Sequence, residues 1–207
     1  MKNRDFLLTD DGELKPCPQV SEWKLLKEYY RFYRFLTEVE DTFENALEKG
    51  IDEISCLPEI RRLVRQLTLN SYWIQTQDPE PCSKTGTSVI MLYDEIGFPW
   101  TVQVVKFLPG TASTIHNHGT WGVVVLLKGQ EKNTFWKRAP EADFPDKIER
   151  VGETVLMPGD LISFTPDSIH SIESVGDEPT ITFNIYGETD SSRRFEFDPV
   201  THKAKKF

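Results

Sequence analysis

The sequence has little cysteine, few basic residues and no long apolar run. Its 207 residues include three cysteines, Cys17, Cys56 and Cys82, which are widely spaced and form no Cys-x-x-Cys pair. Neither a disulfide framework nor a zinc ribbon is therefore expected, and we interpret all three as reduced thiols. With 24 Lys and Arg against 33 Asp and Glu, the formal net charge is -9. That balance argues against a nucleic-acid-binding surface, which needs clustered positive charge.

No apolar stretch approaches the roughly 18 residues that a membrane span needs. Residues 1–5 lead into no apolar signal-peptide core, so we expect a soluble cytoplasmic protein with no membrane partner, either a monomer or a homodimer. The one basic cluster, Lys203, Lys205 and Lys206, is expected to be a solvated tail. The length suits one domain with an extension, and no internal repeat or low-complexity segment interrupts it.

The N-terminal part, residues 1–86, predicts an α-helical extension and a linker. Leu, Val and aromatic residues recur every three or four positions over residues 21–49, which predicts one amphipathic helix. A second such pattern begins at Pro58 and ends near residue 70. Residues 78–86 are rich in Pro, Ser, Thr and Gly and predict a linker. We expect this extension to pack on a second domain, residues 87–207.

From residue 88 onward the pattern changes to short β-strands. Runs rich in Val, Ile, Thr and aromatic residues are separated by Gly, Pro or Asp. The expected fold class is mainly β, because about eight short strands after a helical segment favour a small antiparallel barrel or jelly roll. Such a barrel can enclose one small ligand. The strands are predicted at residues 88–93, 101–108, 122–127, 132–137, 153–157, 161–164, 168–174 and 180–186.

Three of the four histidines form a pattern typical of a metal site. One residue separates His116 from His118, and His170 follows a turn, a short apolar strand and Pro166. Side chains alternate along a strand, so an H-x-H pair points two imidazoles to one face, and a neighbouring strand can supply a third. Imidazole suits iron, copper, nickel and zinc. We predict that His116, His118 and His170 bind one metal ion, against the alternative of three unrelated histidines.

Two further groups of residues are expected near this site. Period two places Thr182, Asn184 and Tyr186 on one face of the last predicted strand, and we expect that polar face to look into the metal cavity. Trp121 directly follows the H-x-H turn. It is a candidate substrate-binding residue that is expected to shield the metal pocket from bulk water, or else it packs in the core.

These motifs resemble the two-motif signature of the cupins, whose fold is a double-stranded β-helix, a form of jelly-roll barrel. The common cupin pattern has a metal-binding Glu where this chain has Gly122, which leaves three histidines. The run around the H-x-H pair, the late Tyr186 and the helical N-terminal region are similar to the thiol dioxygenase branch, meaning cysteine dioxygenase-type proteins and their mercaptopropionate relatives. The residues that carry the cupin resemblance are Gly110, His116, His118, Gly129, Gly159, Asp160, Pro166 and His170.

This resemblance implies an Fe(II) enzyme, with Zn or Ni possible on purification, that uses O2 to oxidise a small thiol such as cysteine or 3-mercaptopropionate to its sulfinate. It also implies that Tyr186 donates a proton or hydrogen bond near the substrate, with Thr182 and Asn184 behind it. Two alternatives stay open. One is a three-histidine cupin that oxygenates a diketone or similar carbon acid, and the other is a non-catalytic metal-holding cupin that binds a small molecule.

The chain departs from the thiol dioxygenases at three places. The run that commonly reads Ser-x-His-x-Tyr is Thr-x-Asn-x-Tyr here, so a titratable link is missing at Asn184. The Arg that grips the substrate carboxylate is absent, with Ile90 near the matching place, so Arg193 and Arg194 are the candidates for a bidentate clamp, or else a solvated pair. The Cys of the Cys–Tyr crosslink is also absent, with Gly122 in its region, so no crosslink is expected.

Overall fold

The computed structural model describes residues 3–19, 21–26 and 30–206. Two β-sheets face each other, and α-helices cover the outer face of the larger one. The helices are α1 (Glu22–Leu25), α2 (Phe32–Glu48), α3 (Leu57–Asn70) and α4 (Tyr72–Gln75), with a 3₁₀ turn at Glu53–Cys56. The strands are β1 (Asp5–Leu8), β2 (Leu14–Pro16), β3 (Thr87–Asp94), β4 (Trp100–Phe107), β5 (Ile115–His116), β6 (Gly122–Lys128), β7 (Gln130–Arg138), β8 (Ile148–Leu156), β9 (Leu161–Phe164), β10 (Ile169–Val175), β11 (Thr180–Gly187), β12 (Phe195–Asp198) and β13 (Lys203–Lys206).

The larger sheet has seven strands in the order β2-β1-β9-β6-β11-β4-β3, and the smaller has six in the order β13-β12-β5-β10-β7-β8. In the described part of the chain every pairing is antiparallel except that of β1 with β9. The predicted fold class is therefore confirmed. The chain is mainly β, a jelly-roll barrel with α-helices in its N-terminal part.

Side chains of β4 alternate between the two faces of the larger sheet. Val102 and Val104 are fully buried on its outer face, in one apolar cluster with Phe35 of α2 and Leu63 of α3. The residues between them, such as Gln103, face the other sheet and line a cavity. Burial of the outer face under the helices stabilises the sheet through the hydrophobic effect and leaves the inner face available for polar groups.

All eight predicted strands are present, and the second helix is confirmed. Residues 78–86 contain no helix or strand, as expected for a loop. Five short strands were not predicted: β1, β2, β5, β12 and β13. The predicted solvated tail is wrong in part, because Lys203 to Lys206 form β13, which pairs with β12. Its lysines remain at the surface, and Lys205 Nζ lies 2.8 Å from a carboxylate oxygen of Glu196. Backbone pairing after a tight turn therefore orders this segment.

The single helix predicted over residues 21–49 is also wrong in part. Helix α1 ends at Leu25, the backbone is extended at Leu26 and Arg31, and α2 then begins. Residues 27–29, including Tyr29 of the predicted apolar stripe, lie outside the described residues. Tyr30 is buried in the core cluster, and its hydroxyl donates to Glu38 at 2.7 Å. Local periodicity alone predicts one continuous helix here. The helix is instead interrupted where the Tyr30 side chain is buried.

The predicted boundary between an N-terminal extension and a second domain, after residue 86, stays a prediction. The segment before it supplies two strands of the larger sheet as well as the helices. None of the described helices is both long enough and apolar enough to span a membrane. The three cysteines are free thiols, with Cys56 buried and Cys82 exposed.

Candidate metal centre

The three predicted ligands meet at one end of the space between the sheets. Strands β5 and β10 pair so that His116 lies directly opposite His170. His118 follows His116 by two residues and points the same way, and the ligand nitrogens of the three imidazoles all lie within 4.8 Å of one another. The Nε2 atoms of His118 and His170 are 3.0 Å apart. Among the described residues no Asp, Glu or Cys joins this cluster.

Hydrogen bonds orient two of the imidazoles. His116 Nδ1 lies 3.0 Å from the carbonyl oxygen of Thr114, and His170 Nδ1 lies 3.2 Å from Oδ1 of Asn133. Because an oxygen acceptor requires a proton on Nδ1, the lone pair of each ring is left on Nε2. The Asn133 amide is itself fixed, since its Nδ2 donates to a carboxylate oxygen of Glu131 at 2.9 Å. This arrangement suits metal binding through Nε2.

Electrostatics keep the imidazoles neutral. Burial, followed by the neighbouring histidines, holds the pKa of His118 well below its ordinary value, and burial and His116 do the same to the pKa of His170. Burial also lowers the pKa of His116. The three neutral imidazoles, with their ligand nitrogens within 4.8 Å of one another, could hold one divalent transition metal. Imidazole donors do not select the identity of that metal.

The ring of Tyr186 occupies the space that a fourth ligand at position 122 would need. A Cβ atom on Gly122 would lie 2.6 Å from Cδ1 of Tyr186, a distance that no side chain tolerates. The same ring stacks on the imidazole of His118, with centroids 4.8 Å apart and planes at 25°. A carboxylate side chain at position 122 and the ring of Tyr186 in its present place would therefore overlap.

The predicted polar face of β11 does line the cavity. Thr182, Asn184 and Tyr186 are all among its lining residues. Nδ2 of Asn184 donates to Oγ1 of Thr182 at 3.1 Å, whereas the Tyr186 hydroxyl is 3.5 Å from Oδ1 of Asn184, a long and weak contact. Burial, with the charge of Glu131, raises the pKa of Tyr186 above its ordinary value. The phenol is therefore a neutral donor.

The cavity has a volume of about 350 Å³ and lies between the two sheets. This is within the usual size for a small-molecule site. Its lining is mostly uncharged. Besides the histidines and Tyr186, two ionisable side chains line it, Arg194 and Glu131, whose charged forms have opposite sign. The sequence pattern did not single out Glu131. The only signal for it was an acidic residue at an inward position of a predicted barrel strand.

The two predicted arginines separate. Arg194 lines the cavity, whereas Arg193 points outward and forms an ion pair with Asp167 at the surface. Asn117, the middle residue of the H-x-H pair, is buried at 2% exposure and determines this placement. Its Nδ2 donates to the carbonyl oxygen of Arg193 at 2.8 Å, and its Oδ1 accepts from the backbone N–H of Phe195 at 2.8 Å. Sequence reasoning missed this role of Asn117.

Trp121 does not shield the metal pocket, so that expectation is wrong and the core-packing alternative holds. Its ring lies 5.2 Å from that of Phe43 on the outer face of the larger sheet, and Nε1 donates to Glu53 at 2.9 Å. The reason is alternation, because Trp121 shares the outward face of Val123 and Val125 under the helices.

The expected match of Ile90 to the missing Arg stays a prediction. On β3 the side chains that reach the cavity are Val89 and Met91, and Ile90 is not among the lining residues. The inward face of this strand still offers no arginine.

No protein-family model matches the sequence, and no curated protein matches it either. Among solved structures, an oxalate oxidase in complex with the substrate analogue glycolate has 15% identity and a TM-score of 0.41 over 58% of this chain and 60% of that one. A cupin superfamily protein from Desulfitobacterium hafniense has 13% identity and a TM-score of 0.42 over 57% and 90%. A cupin-2 domain from Rhodospirillum rubrum has 16% identity and a TM-score of 0.42 over 63% and 73%. The chain thus matches only 60% of the oxalate oxidase, and similarities this low carry no inference about function.

Proposed function

We propose that this chain is a mononuclear non-haem iron dioxygenase of the cysteine dioxygenase-like cupin group, acting on a small thiol of the cysteine or 3-mercaptopropionate type. The observation that carries the proposal is the cluster of three neutral histidines, without a carboxylate, in a barrel cavity of about 350 Å³. Bound Fe(II) would supply the redox chemistry by which a thiolate, R–S⁻, and O2 give a sulfinate, R–SO2⁻, so that both oxygen atoms end on sulfur.

The charge of the ligand set supports a thiolate as the species bound. Three neutral imidazoles offset none of the positive charge of a divalent ion, so the cavity favours an anionic ligand beside them. The low pKa values of His118 and His170 keep these rings from competing for the thiol proton. The proton released by the thiol therefore leaves to solvent or to another acceptor.

Tyr186 would place a hydrogen-bond donor beside the reacting sulfur and oxygen atoms. Its ring stacks on His118, and its raised pKa keeps the hydroxyl protonated across the neutral range. Thr182 and Asn184 line the wall next to it. Of the two arginines, Arg194 is the one that lines the cavity, so it is the better candidate to bind a substrate carboxylate with two parallel hydrogen bonds.

One observation favours a second candidate, a metal-holding cupin that binds a small molecule without turnover. The contact between the Tyr186 hydroxyl and Asn184 is long, at 3.5 Å, and Asn184 cannot relay a proton as a histidine would. A three-histidine oxygenase for a diketone remains the third hypothesis.

The test is an oxygen-electrode assay after anaerobic loading of the full chain with Fe(II). Cysteine, 3-mercaptopropionate, cysteamine and a diketone are compared, the products are identified by mass, and zinc-loaded protein serves as the control. The proposal predicts O2 uptake that depends on a thiol and a product that has gained two oxygen atoms. Uptake with the diketone alone would favour the third hypothesis. Absence of uptake with every thiol, at full iron content, would exclude the thiol dioxygenase activity.

A further inference from the structure

A second cavity lies on the outer face of the larger sheet, on the opposite side from the three histidines. It has a volume of about 300 Å³, at the small end of the range for small-molecule sites. One face of α2, the segment that follows α2 and the turn between β3 and β4 form its walls. It shares no lining residue with the cavity between the sheets. Any role of this second cavity is therefore separate from that of the metal centre.

Three aromatic rings line the second cavity. The rings of Phe43 and Trp100 are stacked, with centroids 5.8 Å apart, and the ring of Phe98 meets that of Trp100 edge-on at 5.6 Å. Trp100 is 4% exposed, and its Nε1 has no hydrogen-bond partner within the described residues. Phe98 lies in the turn between two strands and is 37% exposed. The fold thus leaves part of this aromatic surface uncovered.

The ionisable groups that line the second cavity are all carboxylates. Glu40 and Glu44 lie one turn apart on α2, on the same face as Phe43, and Glu53 lies in the 3₁₀ turn. Oε2 of Glu53 accepts a hydrogen bond from Nε1 of Trp121 at 2.9 Å, which holds this carboxylate at the cavity wall. No Lys or Arg lines the cavity, and within the described residues none forms an ion pair with these three glutamates. The protein itself therefore leaves this negative charge unpaired.

Aromatic rings and carboxylates together favour a cation. The face of an aromatic ring is electron-rich and attracts a positive charge, whereas three carboxylates repel an anion. A primary ammonium group is strongly hydrated, and aromatic rings replace its hydrogen bonds to water only weakly. A trimethylammonium group has no N–H to satisfy and can pack its methyl groups on the rings. Charge and surface chemistry thus both select a methylated cation.

We propose that the second cavity binds a small molecule that carries a trimethylammonium group. This group packs against the rings of Phe43, Phe98 and Trp100, and the carboxylates of Glu40 and Glu44 supply the opposite charge beside it. A free small molecule is the occupant, because a cavity of about 300 Å³ is large enough for one. The inference does not rest on the proposed dioxygenase activity, since the two cavities have separate linings.

The test is a titration of the full chain with choline, followed by NMR at the indole N–H of Trp100. The matched ligand is 3,3-dimethyl-1-butanol, which has the same shape as choline with an uncharged carbon in place of the nitrogen. One cation–π contact changes affinity about two- to fivefold even at an exposed site, and three rings line this cavity. Choline should therefore bind at least about fivefold tighter than the neutral alcohol. Ethanolamine, which has a primary ammonium group, should bind more weakly than choline.

A charge variant tests the carboxylates. The double substitution Glu40→Gln and Glu44→Gln should weaken choline binding about threefold or more and leave binding of the neutral alcohol unchanged. The control is the double substitution Asp41→Asn and Glu48→Gln. It removes the same net charge from exposed positions of the same helix, outside the cavity lining, and should keep the affinity for choline.

A ring variant tests the aromatic wall. Phe98→Leu should weaken choline binding about two- to fivefold, because it removes one ring and keeps an apolar side chain. Phe144→Leu is the control, since Phe144 is 41% exposed and lies outside the cavity lining.

Equal affinity of the wild-type chain for choline and the neutral alcohol would overturn the proposal, and this comparison does not depend on whether any variant folds. Absence of a choline-induced shift at Trp100 would overturn it as well, as would tighter binding of ethanolamine. A trimethyllysine peptide that binds more than about tenfold tighter than choline would refute the free small molecule and indicate a protein partner. Oxygen uptake by the iron-loaded protein has no bearing on any of these outcomes, so the two proposals fail separately.

Discussion

Among single residues, the candidate metal centre depends on which nitrogen each imidazole presents. Thr114 and Asn133 accept from the Nδ1 atoms of His116 and His170, so both rings offer Nε2. Gly122 leaves room for the ring of Tyr186, which in turn stacks on His118. A site made this way tolerates little change, because each ring is held by a neighbour that is itself fixed.

Replacing His118 with Ala should remove most of the bound metal. The variant keeps two imidazoles, and since loss of even an outer hydrogen-bond partner costs about 10–100-fold in metal affinity, loss of a ligand should cost more than about tenfold. Metal content after anaerobic iron loading and desalting checks this. The control is His202→Ala, because His202 lies outside the cluster in the turn before β13. Full iron in His118→Ala would show that His118 is not a ligand.

Tyr186→Phe should keep the metal and lose activity. The ring that packs on His118 and against Gly122 is retained, whereas the hydroxyl donor is removed. Proton transfer by a positioned group typically contributes about 10²–10⁴-fold, so a fall in thiol-dependent O2 uptake of at least about tenfold is expected. Tyr93→Phe is the control, since Tyr93 lies on β3 and is not a lining residue. An unchanged rate would reduce Tyr186 to a packing role.

At the scale of elements, β1 holds helix α3 to the larger sheet. Strand β1 pairs in parallel with β9, and its Asp5 forms a buried ion pair with Arg65 of α3. Nη1 of Arg65 also donates to the carbonyl oxygen of Gly159 at 2.9 Å. Arg61, one turn earlier, donates to Oγ of Ser163 on β9 at 3.0 Å. The helix is thus attached through its charged side chains as well as its apolar face.

Asp5→Ala should therefore destabilise the whole fold. It leaves the buried guanidinium of Arg65 unpaired, which typically costs about 3–5 kcal/mol of the free energy of unfolding. Urea unfolding followed by circular dichroism measures the loss. Glu153→Ala breaks an exposed ion pair with Arg150 and should change the same quantity by less than about 1 kcal/mol. If the two substitutions lowered the free energy of unfolding equally, the buried ion pair would contribute no more to stability than the exposed one.

At the scale of the whole molecule, the larger sheet is a wall between an apolar layer and a polar cavity. Its outer residues, such as Val104 and Phe183, are fully buried against the helices. Its inner residues, such as Gln103 and Asn184, line the cavity beside the histidines. The helices therefore support the site indirectly, since the strands that carry the lining depend on them for burial of the opposite face.

A chain cut to residues 87–207 should not fold on its own, although this segment contains all three histidines. It exposes the outer face of the larger sheet and lacks β1 and β2. We expect an aggregated or unfolded product by size-exclusion chromatography and circular dichroism. Co-expression with residues 1–86 should recover soluble, iron-binding protein. A cooperative unfolding transition of the isolated 87–207 segment would instead establish it as an independent domain.

Local sequence patterns predicted the mainly β class, the eight strands and the convergence of three histidines. These features follow from local rules. The period of two points His116 and His118 to one face, and short β-rich runs between turn residues define strands wherever they later pair. The polar face ending at Tyr186 was predictable for the same reason.

Which faces meet depends on packing between elements, which no local pattern encodes. Trp121 and Arg194 each had two open interpretations, and packing places Trp121 under the helices and Arg194 in the cavity lining. A role of Arg194 in substrate binding stays a prediction. Strand β13 was missed because its lysine-rich sequence has no apolar alternation, although it pairs with the neighbouring β12 across a short turn. The break before α2 was missed because Tyr30 is buried in a core cluster shared with segments far away in sequence. Glu131 was missed for the same reason, since an acidic residue on a strand becomes a buried cavity group only when a second sheet covers it.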